Sequence, residues 1–170
     1  MKRWLPHIGV VAGLAIALYA LFFGSSDEER IRELLGRLEN GVQVHEGEFN
    51  IIIRGSRVRK AFSTIFIPDV QFRIPDLQST GTRRKALVAL ATQAPRLYST
   101  AIVDLSELRI KLDDQSASAT AFGDASLIGV RQGGLAERDR RTVSLRLDKI
   151  DGDWRIIAVD VSPRGGTQSE

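Results

Sequence analysis

From Tyr98 onward the hydrophobic pattern of this chain changes from helical spacing to strict alternation, and that switch restricts it to an α+β fold with its helices first. Alternation fills four stretches, 98–112, 115–131, 137–149 and 153–162, separated by the turn signals Asp113-Asp114, Gly133-Gly134 and Asp151-Gly152. Strands joined by such short turns pair antiparallel, so the second half predicts a four-stranded meander. In its first stretch Ala101, Val103 and Leu105 are odd-numbered, whereas Leu108, Ile110 and Leu112 are even. A bulge near Ser106-Glu107 reconciles the two sets and lets so long a strand bend.

Before Tyr98 the spacing is helical. Ser26 and Glu29 form a capping-box pair ahead of the stripe Ile31, Leu34, Leu35 and Leu38, with a stop expected at Asn40-Gly41. A second helix is expected over 49–64, with Ile51, Val58, Phe62 and Ile65 on its inward face and Pro68 ending the segment. Val70, Phe72 and Ile74 alternate with polar residues and predict a short strand closed by Pro75. A third helix is expected over 82–93, burying Leu87, Leu90, Ala91 and Ala94. Residues 25–163 thus read as one domain, three helices on a bent antiparallel sheet of one short strand plus the meander. Residues 164–170 read as a disordered tail.

Residues 4–23 are uncharged and mostly apolar. A helix of that length rises about 30 Å, the thickness of a hydrocarbon core. Trp4 and Tyr19 lie near its ends, Lys2 and Arg3 precede it, and Asp27, Glu28 and Glu29 follow. The positive-inside rule then leaves residues 1–3 in the cytoplasm, takes 4–24 through the inner membrane as a single-pass anchor, and puts the domain outside, which is the periplasm if the cell is Gram-negative. A cleavable signal peptide is the competing reading, with Gly24-Ser25-Ser26 as small residues. The apolar run is longer than the usual signal core, and no clean A-x-A site follows. Both readings export the domain.

Charge and composition narrow the chemistry. The net charge is +3, but setting aside Lys2 and Arg3 leaves 22 basic against 21 acidic residues, so the domain exerts no global pull on phosphate backbones and no nucleic-acid partner is expected. There is no cysteine, and His45 is the only histidine outside the apolar run, in a connection between helices. No metal site or cofactor is expected from such a set. Asp104 and Asp124, within strands, and Tyr98, at a strand start, are the candidate catalytic residues, since two carboxylates on one pocket wall can share a proton. Phe72, Ile74, Ala119, Ala121 and Trp154 are the candidate lining of a pocket for a small apolar ligand. Arg54, Arg57, Arg59 and Lys60 form a basic cluster suited to anionic headgroups, each cation worth about 1 kcal/mol near a charged membrane. Arg83, Arg84 and Lys85 form a second cluster.

Two stretches carry a family resemblance. The segment Asp69-Val70-Gln71-Phe72-Arg73-Ile74-Pro75 and the hairpin Asp151-Gly152-Asp153-Trp154-Arg155-Ile156 stand in the order of elements that resembles the nuclear transport factor 2-like superfamily, with its SnoaL-like and ketosteroid-isomerase-like cones. The resemblance covers residues 27–163 and implies a sheet wrapped around helices. It also implies a catalytic aspartate just before the proline of the first segment in the isomerases; this chain has Ile74 there, which cannot abstract a proton. The leading expectation is therefore a membrane-anchored extracytoplasmic binding or assembly module, pairing as a homodimer or with a membrane-complex protein. The alternatives are a cyclase-, isomerase- or dehydratase-type enzyme on a hydrophobic small molecule, or a carrier of an apolar ligand.

Overall fold

The computed structural model describes residues 26–48, 50–74 and 79–164. The expected anchor at 4–23, the stop at Pro75 and the tail after Arg164 lie outside these residues. Among the described residues, no helix is long and apolar enough to cross a membrane.

Helix α1 (Asp27–Val42) begins at the expected capping box: Ser26 Oγ accepts from the Glu29 N–H at 3.1 Å, and the Glu29 carboxylate accepts from the Ser26 N–H at 2.9 Å. Its acidic first turn suits the positive end of the helix dipole. The helix does not stop at Asn40-Gly41. Gly41 stays helical because it packs beneath the Phe62 ring, and the closing bond runs from the Gln43 N–H to the Glu39 carbonyl.

Helix α2 (Ile51–Ile65) is capped by the Asn50 side chain and buries Val58, Phe62 and Ile65. Ile51, expected on that face, is instead exposed, because the inward position of the first turns belongs to Arg54. Strand β1 (Phe66–Ile74) is longer than expected and contains Pro68. The proline is tolerated where the pairing of β1 slips, between Phe66 and Gln71. Strand β2 (Ser79–Thr82) pairs antiparallel with β1 and takes Thr82, the residue expected to open the third helix. Helix α3 (Arg84–Gln93) buries Leu87 and packs Val88 and Ala91 against the core, turning Leu90 outward.

The meander forms as β3 (Tyr98–Leu112), β4 (Ser118–Arg131), β5 (Ala136–Ile150) and β6 (Asp153–Pro163). The sheet order is β2-β1-β6-β5-β4-β3. The sheet is mixed rather than antiparallel throughout, since β1 lies parallel to β6: the meander's last strand returns in the direction of β1. The β3 bulge falls where the alternation breaks, between the pairs Ser106–Asp124 and Arg109–Phe122, with Glu107 at φ 53°. Across from it sits Gly123, where a Cβ would lie 2.6 Å from the Ser106 carbonyl oxygen. Asp151 and Gly152 turn the last hairpin, both at positive φ, as a tight two-residue turn of this twist requires. One apolar core lies between the helices and the inner face of the sheet, built from Ile31, Leu34, Phe62, Leu145, Leu147 and Ile156 among others.

Candidate functional site

Four of the five expected pocket residues are core. Phe72, Ala119, Ala121 and Trp154 are each at most 5% exposed and belong to the packed cluster. The small side chains of Ala119 and Ala121 therefore sit in packed core. Ile74 is partly buried at the margin of that cluster. Trp154 also donates its indole N–H to Asp27 at 3.0 Å, while Lys149 Nζ reaches the same carboxylate at 2.9 and 3.0 Å. These bonds, Lys149 first, hold the Asp27 carboxyl below the usual carboxylate range, against a smaller opposing effect of burial.

The candidate catalytic residues lie elsewhere. Alternation from buried Ala101 and Ala121 turns Asp104 and Asp124 to the outer face of the sheet, away from the helices. Register makes them diagonal neighbours, roughly 7–8 Å apart at their Cα atoms. Asp124 pairs with Arg164 at 3.1 Å, and Asp104 is exposed. Tyr98 is six residues from Asp104 along β3, about 20 Å away. Its ring covers Gly129, where a Cβ would come within 2.7 Å, and Arg131 lies 6.0 Å from the ring centroid. The structure thus brings the two acids onto one open face and leaves Tyr98 apart from them.

The expected basic cluster divides into inward and outward residues. Arg54 is fully buried. Its Nε donates to the Ala91 carbonyl at 2.8 Å, Nη1 to the Gln43 carbonyl and the Glu48 carboxylate at 2.8 and 2.6 Å, and Nη2 to the Val42 carbonyl at 3.2 Å. One side chain therefore ties the C-terminal end of α1, the following connection and α3 to α2. Burial lowers the Arg54 pKa, opposed by the Glu48 charge. Glu48 also accepts from Arg57. His45 is exposed beside this node, and its backbone N–H donates to Glu48. Arg84 likewise caps α2, donating to the Phe66 carbonyl at 2.9 Å. Arg83 takes an unusual backbone φ of 129° and bonds Val70 through its N–H. Basic spacing alone hid the role of Arg54. The signal was its place four residues before Val58 on the buried stripe.

Arg59 and Lys60 remain outward. Arg59 lines a groove of about 970 Å³ between α2 and α3, with Ile51, Ile52, Val88 and Ala89 as its aliphatic wall and Arg84, Lys85 and Arg96 completing its basic rim. Among the described residues, no carboxylate lines it. Ile52 and Ile53 beside it are 85% and 67% exposed. The outer face of the sheet is the second exposed apolar surface. There Ile102 and Phe122 are 54% and 48% exposed. Ile102 pairs with Ile128, which in turn pairs with Arg138, and Ser126 links Asp104 to Arg140 across three strands. Among the described residues, no cluster of three or more His, Cys, Asp or Glu gathers to hold a metal ion.

No protein-family model matches the chain, and no curated protein matches it. Solved structures do. A nuclear transport factor 2-like superfamily protein from Salmonella enterica serovar Typhimurium is 19% identical, with a TM-score of 0.62 over 86% of this chain and 97% of that one. A putative scytalone dehydratase from Novosphingobium aromaticivorans is 11% identical, with a TM-score of 0.64 over 83% and 95%. A hexachlorocyclohexane dehydrochlorinase, LinA type 2, is 16% identical, with a TM-score of 0.60 over 84% and 92%. At these identities the likeness establishes the fold, a nuclear transport factor 2-like cone, and nothing finer.

Proposed function

We propose that this chain is a membrane-held assembly module in which two copies pair across the outer faces of their β3–β5 strands. The observation that carries the reading is the exposure of Ile102 on β3 and Phe122 on β4, two apolar side chains about 20 Å apart along one outer face and flanked by unlike charges. Asp104 projects from β3, and Arg138 and Arg140 project from β5 without an ion-pair partner among the described residues. A two-fold axis over β4 sets the acid of one copy near the bases of the other, the self-complementarity an isologous interface needs. The charge pattern of residues 2–29 supports holding the domain to a membrane from outside the cytoplasm.

An enzyme reading draws on the dehydratase and dehydrochlorinase among the similar structures. It is disfavoured by Ile74 at the position of the isomerase base and by the outward placement of Asp104 and Asp124. The cysteine-free chain allows a direct test in membranes of cells producing it. A single Phe122→Cys substitution is expected to give an oxidative cross-linked dimer in the membrane fraction, while Ser63→Cys, exposed on α2, is expected to give none. Equal cross-linking at both positions, or none at Phe122→Cys, would refute pairing through the sheet. Recovery of the chain in the soluble fraction would refute the membrane attachment.

A further inference from the structure

The outward side of α2 and α3 has a composition unlike the rest of the domain. No aspartate or glutamate occurs between Glu48 and Asp69, or between Asp76 and Asp104, so both helices are free of acids. Of their cations, Arg54 is buried, Arg57 is taken by Glu48 and Arg84 is bonded to carbonyl groups. Arg59, Lys60, Lys85 and the neighbouring Arg96 are exposed and have no ion-pair partner among the described residues. Large aliphatic side chains project beside them: Ile52, Ile53 and Leu97 are all more than half exposed.

From this we infer that the α2–α3 face docks on an anionic lipid surface, with the aliphatic side chains entering the acyl boundary and Arg59, Lys60, Lys85 and Arg96 meeting phosphate groups. Exposed aliphatics set among cations, with no acid present, are what an interfacial helix requires. A nucleic acid would satisfy the cations and leave the isoleucines in water. The chain places this face suitably. Only Gly24 and Ser25 separate the apolar run at 4–23 from Ser26, which opens α1, and α1 packs beside α2 in the helix layer. Docking by that layer leaves the outer sheet face open for pairing. The inference does not require that residues 4–23 insert.

The test uses the full chain with an environment-sensitive fluorophore on Ser56→Cys, an exposed groove position, mixed with vesicles of phosphatidylcholine alone or with phosphatidylglycerol. Resistance to alkaline washing reports insertion of residues 4–23 separately, so failure of the attachment and failure of the docking face are distinguishable. The emission is expected to shift to the blue with the anionic vesicles only. The shift is expected to vanish in Arg59→Glu/Lys85→Glu and to shrink as salt shortens the screening length. The same fluorophore on Lys111→Cys, on the outer sheet face, is expected to keep its aqueous emission. Equal emission with both lipids, or a shift that survives the double substitution, would overturn the inference. A lipid-independent shift that grows with protein concentration would assign the face to a second copy and overturn it as well.

Discussion

At the scale of single residues, the buried guanidinium of Arg54 organises the helix layer. A charge with no exposure is tolerable only when its donors are satisfied, and here three carbonyls and one carboxylate satisfy them. Arg54→Met is expected to destabilise the domain by about 3 kcal/mol, because it leaves three buried carbonyls without their donor and Glu48 with Arg57 alone. Arg54→Lys is expected to recover only part of that, since one ammonium cannot span three directions. Urea denaturation of both variants measures the difference; equal stability of Arg54→Met and the native chain would contradict it. Asp27 gives a pH signature. Its carboxyl is depressed on folding, so the unfolded chain takes up the proton first. The stabilisation is whole above the unfolded value of about 3.9 and is lost as pH falls through the lower folded value. Asp27→Asn is therefore expected to melt below the native chain at neutral pH and to converge with it on acidification below about pH 4. A gap unchanged with pH would contradict this. In the sequence Asp27 is legible only as a charge after the apolar run, because its partners are 122 and 127 residues away.

At the scale of elements, legibility followed locality. The α1 capping box, the four meander strands and the β3 bulge were readable because each rests on spacing within a few residues. The parallel pairing of β1 with β6 was not, because it joins segments more than eighty residues apart. Strand β2 was invisible, since Ser79-Thr80-Gly81-Thr82 carries no hydrophobic alternation and gains its order from β1. Leu90 and Ile51 were placed inward by periodicity but lie outward, because the contacts of α3 with α2 and β1, and the burial of Arg54, set how each helix is turned. The bulge offers the element-scale prediction. Gly123→Ala is expected to cost about 1–3 kcal/mol, because its Cβ meets the Ser106 carbonyl backbone rather than a flexible side chain. Thermal denaturation of the variant checks it, and an unchanged melting temperature would show that β3 relaxes away without cost.

At the scale of the molecule, the cone has two faces with different tasks in this account. The helix layer is free of acids along α2 and α3, and the outer sheet exposes Ile102 and Phe122 with unlike charges on β3 and β5. The candidate site was partly legible: the strand acids and the basic run were singled out, and Arg59 and Lys60 do face outward. Their sides and partners were not legible, because a bulge decides the face of Asp104 and tertiary packing decides which arginine is buried. The expected pocket residues turned out to be core for a related reason: alternation tells inward from outward, and not filled from open. The pairing surface is tested most directly by the mass of the full chain in nonionic detergent, measured by light scattering with the detergent contribution removed. The native chain is expected at twice its chain mass, and Ile102→Asp/Phe122→Arg at a single chain mass with its fold retained by circular dichroism. A native chain that stays single at all concentrations, or a double variant that stays paired, would contradict the account.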